Sequence, residues 1–144
     1  MLTEATTTVR VRYSETDQMR VAYYGHFFVW FEIGRVELFR QMGFRYRDME
    51  EQDDSYIVVA EARCSYKKPA RYDDPLRIRT CVLEVRRRTL RFGYEVFHDE
   101  TGDLVARGET VHVICDHRGR PKSLPEKYRR VFSLAEAGGQ EDTP

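Results

Sequence analysis

The stretch His26-Phe-Phe-Val-Trp30-Phe31-Glu-Ile-Gly34-Arg-Val-Glu-Leu38-Phe-Arg-Gln-Met42-Gly43 decides the fold. Phe27, Phe31, Gly34, Leu38 and Met42 recur at helical spacing and form one stripe, and Gly43 is placed to end the helix. The first half is apolar almost all round, so this helix is expected to be wrapped by other structure rather than to lie on a surface. Gly34 in mid-helix costs about 1 kcal/mol relative to Ala. That cost makes sense where a sheet must approach closely. Glu32–Arg35 and Glu37–Arg40 are spaced as ion pairs on the helix surface.

Upstream, Val9, Val11 and Tyr13 alternate with Arg10 and Arg12, which predicts a half-buried strand, and residues 14–25 read as a loop. Downstream, the polar residues 44–55 form a loop or short helix, and then long β-like runs follow. Tyr56–Tyr66 is the first, ending at the proline-punctuated connection Lys67-Lys-Pro69-Ala-Arg71-Tyr-Asp-Asp-Pro75. Leu76, Ile78, Thr80 and Val82 alternate with Arg77 and Arg79, and the phase slips at Val82-Leu83, the mark of a bulge. Leu90, Phe92, Tyr94 and Val96 make the next strand, Asp99–Gly102 a hairpin turn, and residues 104–115 the last. There Ala106, Gly108 and Thr110 share one face suited to close packing against a helix. A helix is expected from Leu124 to Ala137. Residues 1–137 therefore read as a single α+β domain, one long helix embraced by a curved antiparallel sheet, with 138–144 a disordered tail.

The 24 basic and 24 acidic residues cancel and are mixed along the chain. No global field recruits nucleic acid or an anionic membrane. The longest apolar run, 27–31, is far too short to span a bilayer, and the N-terminus lacks a basic start followed by an apolar stretch. Cys64, Cys81 and Cys115 are odd in number, lie in strand-like runs and have no metal-ligand spacing. Reduced, buried thiols in a cytoplasmic protein are expected. Neither a glycine-rich phosphate loop nor a Gly-x-Ser-x-Gly elbow is present, so no cofactor and no metal are expected.

Chemistry enters just before the long helix, in Tyr13-Ser-Glu-Thr-Asp17-Gln-Met-Arg-Val21 and Tyr23-Tyr24-Gly25-His26. Asp17 sits in a polar loop a few residues from a helix start, where unpaired N–H groups and the helix dipole favour negative charge. A carboxylate facing such a site suits attack on a carbonyl. Asp17 also has a plain reading as a turn residue, and His26 as a helix cap or core histidine.

Three motifs in this order, Tyr13-x-Glu-Thr-Asp17-x-Met-x-Val21, Trp30-Phe31-Glu32-x-Gly34-Arg35 and Tyr66-Lys-Lys-Pro69-Ala70-Arg-Tyr72-Asp73-Asp74-Pro, resemble the hotdog-fold acyl-CoA thioesterases. The nearest branch is the 4-hydroxybenzoyl-CoA thioesterase family, including the Tol–Pal-associated enzymes, over about residues 8–132. The resemblance implies a long central helix wrapped in a five- or six-stranded antiparallel sheet, homodimers or homotetramers, and acyl-CoA bound at a subunit interface. It matches the family's catalytic aspartate to Asp17 and its backbone oxyanion donors to Tyr24 and Gly25. The chain departs from the pattern at Arg20, where the family often has Gly, and at Tyr24, where the Tol–Pal branch often has His. Either His26 takes over acid–base help, or Asp17 and the helix start suffice, or the activity is weaker.

The implied reaction is hydrolysis of an acyl-CoA to a carboxylic acid and free CoA, with Asp17 as nucleophile or as general base. Lys67, Lys68 and Arg71, and the run Arg86-Arg87-Arg88, are the candidates for holding CoA phosphates. Two other readings stand beside it: an acyl-thioester hydratase or dehydratase on the same scaffold using His26, and a non-catalytic acyl-CoA-binding protein.

Overall fold

The computed structural model describes residues 4–135. The tail expected at 138–144 lies outside the described residues. Strand β1 (Glu4–Arg10) is followed by a single 3₁₀ turn at Tyr13–Glu15, the long helix α1 (His26–Met42) and the short helix α2 (Tyr46–Asp53). Then come β2 (Tyr56–Tyr66), β3 (Pro75–Val85), β4 (Thr89–His98), β5 (Leu104–Cys115) and the helix α3 (Glu126–Leu134). The five strands form one antiparallel sheet in the order β1-β3-β4-β5-β2. This is the α+β hotdog arrangement, with α1 lying across the sheet.

Two expectations shift. The first strand runs from Glu4 rather than from Val9, because the β-branched threonines 6–8 carry the ladder to β3 despite their polarity. Tyr13, expected on its buried face, is in the 3₁₀ turn and 79% exposed. The last helix starts at Glu126, since Pro125, with its fixed φ of −57°, stands at the helix entrance. The bulge foreseen near Val82 falls between Val82 and Glu84.

α1 approaches the sheet as its mid-helix glycine suggests. A Cβ at Gly34 would collide with Thr80 Oγ1 and come within 3.1 Å of Ile78 Cγ2. Across from it, a Cβ at Gly108 would overlap the Phe31 ring and lie 2.8 Å from the Arg63 carbonyl oxygen. Phe31, fully buried, stacks on Tyr94 with centroids 4.3 Å apart and rings nearly parallel. The far side of α1 is left uncovered by the described residues: Val29 and Ile33 are 42% and 40% exposed. Of the two ion pairs expected on α1, Glu37–Arg40 forms, whereas Arg35 donates to the Tyr94 hydroxyl at 3.1 Å.

That contact begins a buried polar string. The Tyr94 hydroxyl and Thr110 Oγ1 are 2.6 Å apart, and Thr110 Oγ1 lies 2.8 Å from His112 Nε2. Burial, reinforced by the Arg35 charge, pushes His112 down to about 3. The folded protein therefore keeps His112 neutral while an unfolded chain protonates it near pH 6.5. Between pH 6.5 and about 3 the unfolded state binds the extra proton, so acidification through this window destabilises the fold, by at most about 1.4 kcal/mol per pH unit. Urea midpoints for wild type and His112→Gln at pH 7.5 and pH 5.5 test this. The wild type is expected to lose more stability over the interval than the variant, and equal losses would contradict it.

Candidate active site

The segment between β1 and α1 is held by backbone ties rather than by regular structure. Glu15 is buried, and its carboxylate accepts the Arg12 N–H at 2.7 Å and the Arg12 guanidinium at 3.1 Å. The Glu15 carbonyl takes the Tyr23 N–H at 2.8 Å, and the Ala70 carbonyl takes the Ala22 N–H at 2.7 Å. Between these anchors Asp17 opens a tight turn: its N–H donates to the Val21 carbonyl and its carbonyl accepts the Arg20 N–H, both at 2.9 Å. Arg20 adopts a left-handed φ of 67°. That conformation suits glycine, the residue the family resemblance leads one to expect here; a longer side chain there costs about 1 kcal/mol or more.

The Asp17 carboxylate is half-exposed. Its Oδ1 accepts the Met19 N–H at 2.8 Å, and Oδ2 has no hydrogen-bond partner among the described residues. Asp17 stands in the wall between two cavities. One, about 360 Å³, is lined by Tyr24, Phe27, Tyr66, Lys67, Lys68 and neighbouring residues of the turn and connection. The other, about 630 Å³, is lined by Tyr13, Thr16, Gln18, Arg20 and Tyr72. The Tyr13 and Tyr72 rings meet edge-on with centroids 5.9 Å apart.

Gly25 precedes the first residue of α1 with helical φ and ψ. The His26 N–H is already bonded to the Tyr23 carbonyl at 2.9 Å and the Phe27 N–H to the Tyr24 carbonyl at 3.3 Å. The Tyr24 and Gly25 N–H groups have no acceptor among the described residues. The structure thus brings Asp17 and Tyr24 to one cavity; Gly25 is not in its lining and adjoins it through the peptide shared with Tyr24. It does not bring the His26 ring there: His26 lines neither Asp17 cavity, and its Nδ1 is buried without a hydrogen-bond partner among the described residues.

The basic residues divide. Lys67 and Lys68 line the Asp17 cavity, and Lys68 also pairs with Asp103 at 3.3 Å. Arg71 is exposed on the same connection, with its N–H donated to Asp74. Arg86, Arg87 and Arg88 lie beyond the far end of β3, whose eleven residues separate them from this connection by about 30 Å. There Arg86 pairs with Glu84, Arg87 Nε donates to Ser123, and the Arg88 carbonyl accepts the Ile114 N–H.

One contact was not anticipated. The Tyr66 hydroxyl, at the end of β2, donates to the Tyr24 carbonyl oxygen at 2.9 Å. The sequence signal was present in Tyr66 itself, an aromatic closing the strand immediately before the lysines, but a tie across 42 positions leaves no local pattern. Among the described residues no cluster of three or more His, Cys, Asp or Glu side chains has the geometry to hold a metal, and no helix is long and apolar enough to cross a membrane.

Comparison with known proteins agrees with this geometry. Residues 11–132 match the model of the thioesterase-like superfamily. The Haemophilus influenzae acyl-CoA thioesterase YbgC is 29% identical over 126 residues, covering 86% of this chain and 90% of that protein. Among solved structures, the DHNA-CoA thioesterase of Staphylococcus aureus is 29% identical with a TM-score of 0.90, covering 98% of this chain and 96% of that one. The Thermus thermophilus protein TT1821 is 32% identical with a TM-score of 0.86, covering 92% and 98%. With the motif-bearing turn, the central helix and strands β2 to β5 inside the matched span, the chain belongs to the thioesterase-like superfamily.

Proposed function

We propose that the protein hydrolyses acyl-CoA thioesters to a carboxylic acid and free CoA, with Asp17 delivering the attacking oxygen. The observation that carries this reading is the position of Asp17, one carboxylate oxygen free, in the wall between two cavities. A substrate whose scissile bond lies mid-molecule, with an acyl group on one side and the CoA arm on the other, fits such a divided site. Either Asp17 attacks the thioester carbonyl, expelling the CoA thiolate and leaving a mixed anhydride that water hydrolyses, or it takes a proton from the water that attacks. In both routes the carbonyl oxygen gains negative charge. The unpaired N–H groups of Tyr24 and Gly25, at the positive end of α1, are the donors for it. Because the His26 ring is absent from both cavities, a histidine-based hydration of the same substrate finds no support in the geometry.

Asp17→Asn keeps the shape of the side chain and removes its charge. Turnover on the best substrate of an acyl-CoA panel, followed as free thiol, is expected to fall about a hundredfold or more. Retention of most of the activity would exclude Asp17 from the chemistry.

Assembly follows from β2. It is an edge strand whose residues from Val58 to Ser65 are nearly all exposed, Val58 and Val59 by 47% and 48%. An apolar strand edge of this length invites pairing, and a second copy of the chain laying its own β2 antiparallel continues the sheet. Such pairing sets the Lys67 end of one β2 beside the Tyr56 end of the other. The Arg86–Arg88 run of the second copy then comes within about three strand spacings, about 15 Å, of the first copy's Lys67 end. Both basic clusters thereby serve one CoA nucleotide. Light scattering at micromolar concentration is expected to give a dimer or tetramer. A clean, fully active monomer would rule out a shared site.

Neutralising Lys67 and Lys68 together (to Gln) tests their contact with the nucleotide. KM for acyl-CoA is expected to rise several-fold with kcat nearly unchanged, and to rise less at high salt. The effect should vanish with an acyl-pantetheine substrate, which lacks the nucleotide. An equal KM increase for both substrates would place the lysines elsewhere on the substrate path.

A further inference from the structure

Tyr66 makes a contact whose consequence lies on the other side of the bond it touches. The carbonyl oxygen of Tyr24 and the N–H of Gly25 belong to one planar trans peptide, so they point in opposite directions and turn as a unit. That oxygen accepts two donors, the Phe27 N–H at 3.3 Å and the Tyr66 hydroxyl at 2.9 Å. The first comes from the helix itself. The second comes from the end of β2, a different element 42 residues away. We infer that Tyr66 is the positioning residue of this site, holding the Tyr24–Gly25 peptide so that the Gly25 N–H faces the thioester oxygen and polarising it into a stronger donor.

The surrounding geometry gives the hydroxyl a fixed address. The Tyr66 ring packs edge-on against Phe27, with centroids 5.1 Å apart, and against Tyr24 at 6.4 Å. Phe27 is buried in the first turn of α1, so the ring that carries the hydroxyl is clamped to the helix whose leading peptide it grips. Partial burial, with the neighbouring Cys64 thiol, raises the Tyr66 phenol above its ordinary value. The group therefore stays protonated, and remains a donor, throughout the neutral range. A hydrogen bond accepted at a peptide carbonyl shifts charge through the amide and strengthens the bond its N–H then makes. The gain is largest when that N–H meets an oxyanion, which exists only in the transition state. Tyr66 touches no reacting atom in this scheme. It acts through the peptide.

The inference rests on the thioester-hydrolysis reading, and Tyr66→Phe tests it. The substitution keeps both ring contacts and deletes one oxygen. On whichever acyl-CoA the wild type turns over fastest, kcat is expected to fall about three- to tenfold while KM stays within about twofold, a fraction of the loss that removing an oxyanion donor outright causes. Replacing Tyr66 by 3-fluorotyrosine, a stronger donor of nearly the same shape, should leave kcat at or above the wild-type value. In the unliganded protein the Gly25 amide proton should move upfield in Tyr66→Phe relative to wild type, a signature that a purely packing role would not produce. An unchanged kcat in Tyr66→Phe, a KM that rises in step with the loss, or an unmoved Gly25 amide would overturn the positioning role. A wild type that hydrolyses no member of the panel would instead overturn the thioesterase reading, and the role of Tyr66 with it.

Discussion

The close approach of α1 to its sheet is the constraint on which the rest of the structure depends. A helix and a sheet meet at close range only where side chains step aside, and here they do so twice, at Gly34 on the helix and at Gly108 on β5. Phe31 fills the space that Gly108 vacates and lies flat on Tyr94. The stacked rings, with Phe27, Trp30, Leu38 and Phe39 along the same helix, are buried and fix α1 in both translation and rotation. The gap is narrow enough to leave Thr80 Oγ1, beside Gly34, buried without a hydrogen bond among the described residues. An unsatisfied hydroxyl of this kind costs about 1–3 kcal/mol, which the apolar contacts on either side of it offset.

Fixing α1 fixes its first peptide, and from there the site is assembled by ties to the 3₁₀ turn, the β2–β3 connection and the end of β2. The turn carrying Asp17 has little regular structure of its own and one left-handed arginine. Left to itself it would sample many conformations. Its ends are instead bonded to elements already in place, at Ala22 to Ala70 and at Tyr23 to the buried Glu15. Tyr66 adds a third tie, to the peptide next to the helix start. Two of these ties are backbone to backbone and the third is accepted by a backbone carbonyl, so the carboxylate of Asp17 is the part of the turn left free to act.

The sequence exposed the elements whose residues repeat and hid those whose residues pair at a distance. α1 was legible to the residue, because an apolar helical period runs into a glycine that adopts φ of 105°. The bounds of β2 and β5 were equally plain, and the slip of phase at Val82 marked a real bulge. His112, two positions beyond Thr110 on the same face of β5, is a core group bonded to it. β1 was misplaced because Glu-Ala-Thr-Thr-Thr shows no apolar alternation; its strand character comes from the ladder with β3. Asp17 and the helix start could be named from their motif. The Tyr66 hydroxyl, the burial of Glu15 and the separation of Arg86–Arg88 from Lys67–Arg71 could not, since each depends on how the strands are ordered in space.

A net charge of zero also conceals how the charges are used. Across the outer face of the sheet they are spent on one another: Arg79 joins Glu4 and Glu95, Arg107 joins Glu95, and Glu109 joins Arg63 and Arg91. Exposed pairs of this kind contribute about 0–1 kcal/mol each, so their effect on stability is small. Their effect on the field is larger, because a cation neutralised by a neighbour attracts no ligand. Around Asp17 the balance differs. Lys67, Arg71 and Arg20 make no ion pair among the described residues. Two of them stand in the walls of the cavities that meet at the carboxylate, and Arg71 is on the connection that continues one wall. A chain with as many acids as bases thus presents uncompensated positive charge at the mouth of its one candidate reaction site. A polyanionic substrate is drawn to such a place over the range of the Debye length, about 8 Å at physiological salt.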